Sequence, residues 1–231
     1  MAGPSERIRI LIADDQPLVR RGVALILTPD PVFDVVAEAD DGQRAVELAH
    51  RHRPHVVVMD IRMPVLDGVQ ATERLARELP TCRVLALSTF DMDEYVVAAL
   101  RAGASGFLPK DASPEELVAA VRTVHAGEAA VAPRLLTRLI SAYVTAPRRP
   151  RPPSQAPGMG KLTPREVQVW HLLATGLDNA EIASSMEISA STVKNHITSI
   201  FAKLSVRDRA QAVIAAYESG LVEARSANSV G

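Results

Sequence analysis

Five short apolar runs, each followed by a stretch of helical periodicity, constrain the first half of this chain more than any other feature. The runs are IRILIA (8–13), FDVVAEA (33–39), HVVVMD (55–60), RVLALS (83–88) and SGFLP (105–109). Amphipathic segments fall near 17–28, 43–52, 68–79, 92–102 and 114–126. Strands alternating with helices predict a parallel sheet covered on both faces. The first, third and fourth runs are apolar almost throughout, as strands buried on both sides are. The last helix carries a start signal: Ser113 as N-cap, Pro114 at the first helical position and Glu116 completing a capping box.

The pattern changes past residue 126. A helical piece is expected near 133–144, and then comes APRRPRPPSQAPGMGK (146–161), too poor in apolar residues to form a core. It reads as a linker, stiffened towards polyproline II where prolines cluster. Its arginines suit a solvated spacer better than a dedicated DNA contact. From Thr163 every segment is helical. Thr163, Pro164 and Glu166 open one helix, Asp178 and Glu181 a second and Ser189 a third, while DRAQAVIAAYESG ends a fourth at Gly220. The expected class is therefore α/β: a five-stranded parallel doubly wound domain (8–125), a linker (126–157), and an all-α four-helix domain with a helix-turn-helix (158–223).

Charge is distributed unevenly although the net charge is only -1. Residues 1–126 carry 14 basic and 19 acidic side chains, residues 127–160 carry 5 and 1, and residues 161–231 carry 7 and 7. The single cysteine, Cys82, precludes an internal disulfide and suits a reducing compartment. No apolar run approaches the roughly 20 residues of a membrane span, and the N-terminus lacks the pattern of a signal peptide. A cytoplasmic protein with no membrane contact is expected.

Polar residues stand at the ends of the apolar runs. Asp14 and Asp15 follow the first, Asp60 ends the third, Ser88 ends the fourth and Lys110 follows the fifth. In an open parallel sheet the carboxyl ends of the strands form the ligand crevice. Three carboxylates gathered there repel one another unless a cation joins them, and oxygen-only donors favour Mg2+. Taken singly these residues say little. Asp14 or Asp15 is also placed to cap the helix that follows, and Lys110 alone would be a surface lysine.

In this order the motifs ADD (13–15), MDIRMPVLDG (59–68), LS (87–88) and PK (109–110) resemble the receiver domain of two-component response regulators. The resemblance implies that Asp60 accepts a phosphoryl group from a sensor histidine kinase, so that the chain is a phosphorylated regulator and not an enzyme. It implies that Asp15 and Asp60 hold Mg2+ with the backbone carbonyl of Arg62, with Asp14 acting directly or through water. Ser88 would hydrogen-bond the phosphoryl group, Lys110 would pair with it, and Phe107 stands at the aromatic switch position. Phosphatases that also use an aspartate after a strand need a second aspartate two residues on; Arg62 stands there instead. The histidines of HRHRPH (50–55) lack the i, i+4 spacing of a helical metal site.

The third C-terminal helix divides into two faces. Val193, Ile197, Ile200 and Leu204 fall on one stripe, while Ser191, Lys194, Asn195, Thr198 and Ala202 gather opposite. The polar face offers a cation, an amide and hydroxyls, the groups that read base edges and hold phosphates. LTPRE, EIA, TVKNH and KL make 158–223 similar to the LuxR-type helix-turn-helix of NarL/FixJ regulators. That resemblance implies a scanning helix near 178–186 and a recognition helix near 189–204, with Lys194 and Asn195 at base-contact positions and Ser191 and Thr198 beside them. The partner is then double-stranded promoter DNA. A balanced charge gives this domain little nonspecific attraction to DNA, and a homodimer formed on phosphorylation or on DNA would double the contacts. Ala210, Val213, Ile214 and Tyr217 are open to two uses, as a dimer face or as core. His196 lies towards the core side, and Trp170 is expected in the core.

Overall fold

The computed structural model describes residues 7–88, 93–128, 130 and 158–222. The helical piece expected near 133–144 and most of the linker lie outside them. The chain divides into two compact units, Met1–Ala130 and Val131–Gly231.

In the first unit, β1 (Ile8–Ala13), β2 (Phe33–Ala39), β3 (Val56–Asp60), β4 (Arg83–Ser88) and β5 (Gly106–Pro109) form one parallel sheet in the order β2-β1-β3-β4-β5. Five helices alternate with them: α1 (Pro17–Leu27), α2 (Gly42–His52), α3 (Gly68–Glu78), α4 (Asp93–Ala102) and α5 (Pro114–His125). Side chains alternate across the sheet as the pleat requires. Leu11, Val57 and Met59 join a core with Ala45, Ala49 and Leu75 of α2 and α3. Ile10, Ile12, Val56 and Val58 join a second core with Val23, Leu27, Leu117 and Val121 of α1 and α5. The inner strands are thus buried on both faces, which explains their continuous apolar sequence.

Local chemistry sets the helix boundaries. Ser113 and Glu116 make the expected capping box, and Asp67 caps α3 by accepting from the Gln70 N–H. One expectation fails: neither Asp14 nor Asp15 caps α1. Its N-cap is Gln16, whose side chain makes no cap bond, and the Asp14 carboxylate accepts from the Gln16 N–H at 2.9 Å from just outside the helix.

The second unit contains α6 (Pro164–Ala174), α7 (Asn179–Met186), α8 (Ala190–Leu204) and α9 (Arg209–Glu218). Thr163–Glu166 and Asp178–Glu181 are both capping boxes, and Ser189 caps α8. Glu187, in the left-handed region at φ 54°, makes the tight turn between α7 and α8. At the start of this unit, within the Pro- and Gly-rich stretch 146–161, a 3-10 turn, Met159–Lys161, lies against α8. Gly158 is required there: a Cβ would stand 1.9 Å from the Lys203 carbonyl oxygen, and its φ is +83°. Trp170 is fully buried and donates its Nε1–H to the Ala212 carbonyl at 2.8 Å.

Candidate functional site

The strand order reverses between β1 and β3, and the carboxylates come from the carboxyl ends of those two strands. Asp14 and Asp60 are buried, while Asp15 is exposed. One oxygen of each of the three lies within 4.8 Å of the others, forming a group that can hold a metal ion. Lys110 enters from beyond β5. Its ammonium stands 2.7 Å from Asp14 Oδ2 and 2.9 Å from Asp60 Oδ2. Ser88, half-buried, ends β4 beside it and accepts the Lys110 backbone N–H at 2.8 Å. Phe107, also half-buried, lies on β5 opposite Ala86.

The electrostatics follow from burial and this one lysine. Burial pushes the Asp60 carboxyl above the usual carboxylate range and the Asp14 charge adds to that, while Lys110 and the Arg62 backbone N–H pull it back. Burial by itself would depress the Lys110 ammonium, but its contacts with both carboxylates outweigh this and raise it. Asp14 Oδ2 meets the ammonium as an ion pair without the alignment of a hydrogen bond. A buried carboxylate oxygen thus keeps a lone pair available, in a group made of oxygen donors only. That is the donor set of a hard divalent cation.

Gly68 and Arg20 stand behind the site rather than in it, and sequence reading does not single out either. A Cβ on Gly68 would lie 1.9 Å from the Asp60 carbonyl oxygen. Arg20, on α1, donates to the Asp14 carbonyl at 2.6 Å. Two of the three histidines are occupied elsewhere: His50 pairs with Glu78 at 2.9 Å, and His55 Nδ1 accepts from the Arg9 N–H at 3.1 Å.

The second unit presents α8. Val193, Ile197, Ile200 and Leu204 are buried, and Ser191, Lys194, Asn195, Thr198 and Ala202 are all exposed. The Thr198 hydroxyl donates to the Lys194 carbonyl at 3.0 Å, so it faces outward as an acceptor. Two contacts anchor α8 from behind: Glu166 accepts from the Lys203 ammonium at 2.7 Å on both oxygens and from the Ser199 hydroxyl at 2.7 Å. Those bonds, Lys203 foremost, hold the Glu166 carboxyl down at about 2. Ala210, Val213, Ile214 and Tyr217 are buried, and α9 packs on α6 and α8; core packing, not a free dimer face, takes them.

Two family models match the chain: the response regulator receiver domain at residues 10–122, and the luxR family of bacterial regulatory proteins at 160–216. The transcriptional regulatory protein DegU of Brevibacillus brevis is 39% identical over 228 residues, covering 95% of this chain and 97% of the relative. LnrK of Bacillus subtilis is 40% identical, with 93% and 98% covered. The chain belongs to the NarL/FixJ family of two-component response regulators. A crystal structure of the response regulator ChrA from a heme-sensing two-component system is 35% identical, with a TM-score of 0.50 over 94% of this chain and 99% of that one. As a family member, the chain is a phosphorylation-dependent, DNA-binding transcriptional regulator. A receiver joined to a LuxR-type helix-turn-helix makes it a signal-transduction protein rather than a catalytic enzyme.

Proposed function

We propose that Asp60 is the phosphoacceptor and that a sensor histidine kinase is its donor. The observation that carries this reading is the Lys110 ammonium bridging Asp60 and Asp14 beside Asp15. The P–N bond of the donor's phosphohistidine breaks as a P–O bond to the Asp60 carboxylate forms. This transfer needs positioning and charge compensation more than acid–base chemistry. Asp15, Asp60 and the Arg62 carbonyl would hold Mg2+, with Asp14 directly or through water, and the ion when bound neutralises charge on the transferred group. Lys110 then exchanges its contact with Asp60 for one with the phosphoryl oxygens, and the Ser88 hydroxyl donates to the same group. Phe107 follows Ser88 inward. The new charge, up to about two negative units, biases the receiver between two states.

The output is DNA. Lys194 and Asn195 read base edges, and Ser191 and Thr198 support them from the same face of α8. Phosphorylation promotes a homodimer on a promoter with two half-sites, which offsets the balanced charge of the second unit. We take 8–125 as the receiver, 126–157 as the linker and 158–223 as the DNA-binding domain. No helix among the described residues is long and apolar enough to cross a membrane. We place the protein in the cytoplasm, where the kinase's catalytic part and the promoter are both accessible.

Incubation with acetyl phosphate and Mg2+, followed by intact mass, tests the central step. Wild type gains the mass of one phosphoryl group and Asp60→Asn gains none; equal gain in both chains would move the acceptor elsewhere.

A further inference from the structure

The Asp15 carboxylate is exposed, and among the described residues no hydrogen bond or ion pair holds it. Its neighbour Asp14 is hydrogen-bonded at three polar atoms and ion-paired at the fourth. The Asp14 N–H donates to the Ala39 carbonyl at 3.1 Å, Oδ1 accepts from the Gln16 N–H at 2.9 Å, and Oδ2 meets Lys110. The remaining atom, the Asp14 carbonyl oxygen, accepts from the Arg20 guanidinium at 2.6 Å. That carbonyl and the Asp15 amide share one rigid peptide plane. Whatever fixes the carbonyl fixes where the Asp15 Cα stands, the point from which its side chain must reach the cluster.

We propose that Arg20 is a positioning residue for the cation site: by gripping the Asp14–Asp15 peptide it fixes the Asp15 Cα at the distance from which the otherwise unsupported Asp15 carboxylate reaches the cluster. The inference rests on the reading of that cluster as a Mg2+ site. The Arg20 side chain is mostly buried, 18% exposed, and Glu38 pairs with its Nε at 3.6 Å. Glu38 sits on β2 next to Ala39, the residue that receives the Asp14 N–H. Arg20 therefore belongs to a closed frame of α1, β1 and β2. A charge-assisted bond to a carbonyl is stronger than a neutral one. Glu38 also offsets a positive charge that would otherwise oppose a divalent cation.

The sign of the effect separates this role from a plain charge effect. Deleting a cation beside a Mg2+ site strengthens Mg2+ binding through electrostatics alone. Loss of a positioning contact weakens it, and supporting contacts of this kind are worth about 10-fold to 100-fold in metal affinity.

The test is calorimetric titration of the unphosphorylated full chain with MgCl2 alone. Arg20→Met, which keeps the stem and removes both donor and charge, should raise the dissociation constant at least about tenfold. Arg20→Lys, a single-point donor, should fall between Arg20→Met and wild type. In acetyl phosphate reactions the half-saturating Mg2+ should rise for Arg20→Met while the rate at saturating Mg2+ stays near wild type. A merely destabilised fold would lower that maximum instead. Affinity in Arg20→Met equal to or tighter than wild type overturns the proposal. Should Arg20→Met fail to fold, Arg20→Lys carries the test, and wild-type affinity there overturns it. A wild-type chain that takes up no Mg2+ overturns the reading of the cation site itself.

Discussion

No side chain fits between Gly68 and the carbonyl oxygen of Asp60: a Cβ there would approach to 1.9 Å. The start of α3 and the end of β3 are pressed together, and the Gly68 N–H bonds the Ile61 carbonyl at 2.9 Å. Gly68→Ala forces the backbone that carries Asp60 to move. It should cost about 1–3 kcal/mol of stability, read by urea denaturation, and slow phosphorylation by acetyl phosphate. An unchanged rate would show that the Asp60 carboxylate tolerates a displaced backbone.

Lys110 balances two buried carboxylates. Lys110→Met leaves both uncompensated, and breaking a buried pair in this way costs about 3–5 kcal/mol. Urea midpoints of the receiver should fall accordingly without Mg2+ and recover in part with it, since a divalent cation can take over the compensation. A variant as stable as wild type in chelator would mean that the carboxylates find protons or solvent instead.

Val65 is 83% exposed, has φ 65°, and lies between Pro64 and Leu66, whose carbonyl and N–H bond at 2.7 Å. A β-branched residue in the left-handed region at the centre of so tight a turn is strained. Val65→Gly should gain about 1 kcal/mol, because the strain removed exceeds the entropy added to the unfolded chain. The check is the receiver's thermal midpoint; a lower one in Val65→Gly would show that the loop holds this valine without strain.

Glu166 offers a pH test. Its carboxyl, held at about 2 by Lys203, Ser199 and Thr163, lies below the ordinary 4.5. The stabilisation is complete above the ordinary value and is lost as pH falls from there through the folded value. Trp170, the only tryptophan, is buried in the same unit and reports on it alone. Urea midpoints by Trp170 fluorescence should drop more steeply below about pH 4.5 for wild type than for Glu166→Gln. The gap between the chains should be widest near neutrality and close towards pH 2. Parallel curves would place the stabilising charge elsewhere.

Asn195→Ala should weaken specific DNA binding by about 1–3 kcal/mol and relax selectivity at one base position, leaving the salt dependence nearly intact. Lys194→Ala should weaken specific binding likewise and, because it removes a charge from the interface, also reduce the salt slope. Binding curves on promoter and scrambled duplexes at several salt concentrations distinguish the two.

Much of this architecture is legible in the sequence because its determinants are local. Apolar runs of strand length, and caps such as Ser113, Thr163, Asp178 and Ser189, declare themselves within a few residues. Asp14, Asp15, Ser88 and Lys110 are legible for a topological reason: strand ends of a parallel sheet share one rim. What stays hidden depends on how the elements meet in space. Glu166 reads as a capping-box residue and is one, yet its partners Ser199 and Lys203 lie 33 and 37 residues on. Arg20 looks like any helix arginine until the fold brings it back on Asp14. Gly68 looks like a turn glycine until β3 is laid against it. The apolar face of α9 has the composition of an interface, and only packing against α6 and α8 assigns it to the core.

The close fit of Gly158 on the Lys203 carbonyl gives the second unit a mechanical property. Where the linker joins it, the chain is moored to the C-terminal end of α8, the helix with the exposed polar face, rather than to a distant part of the scaffold. The described start of this unit therefore bears on the heel of that helix, at the residue whose ammonium also grips Glu166. The exposed polar face of α8 is held like the edge of a blade by its tang, from the heel behind it.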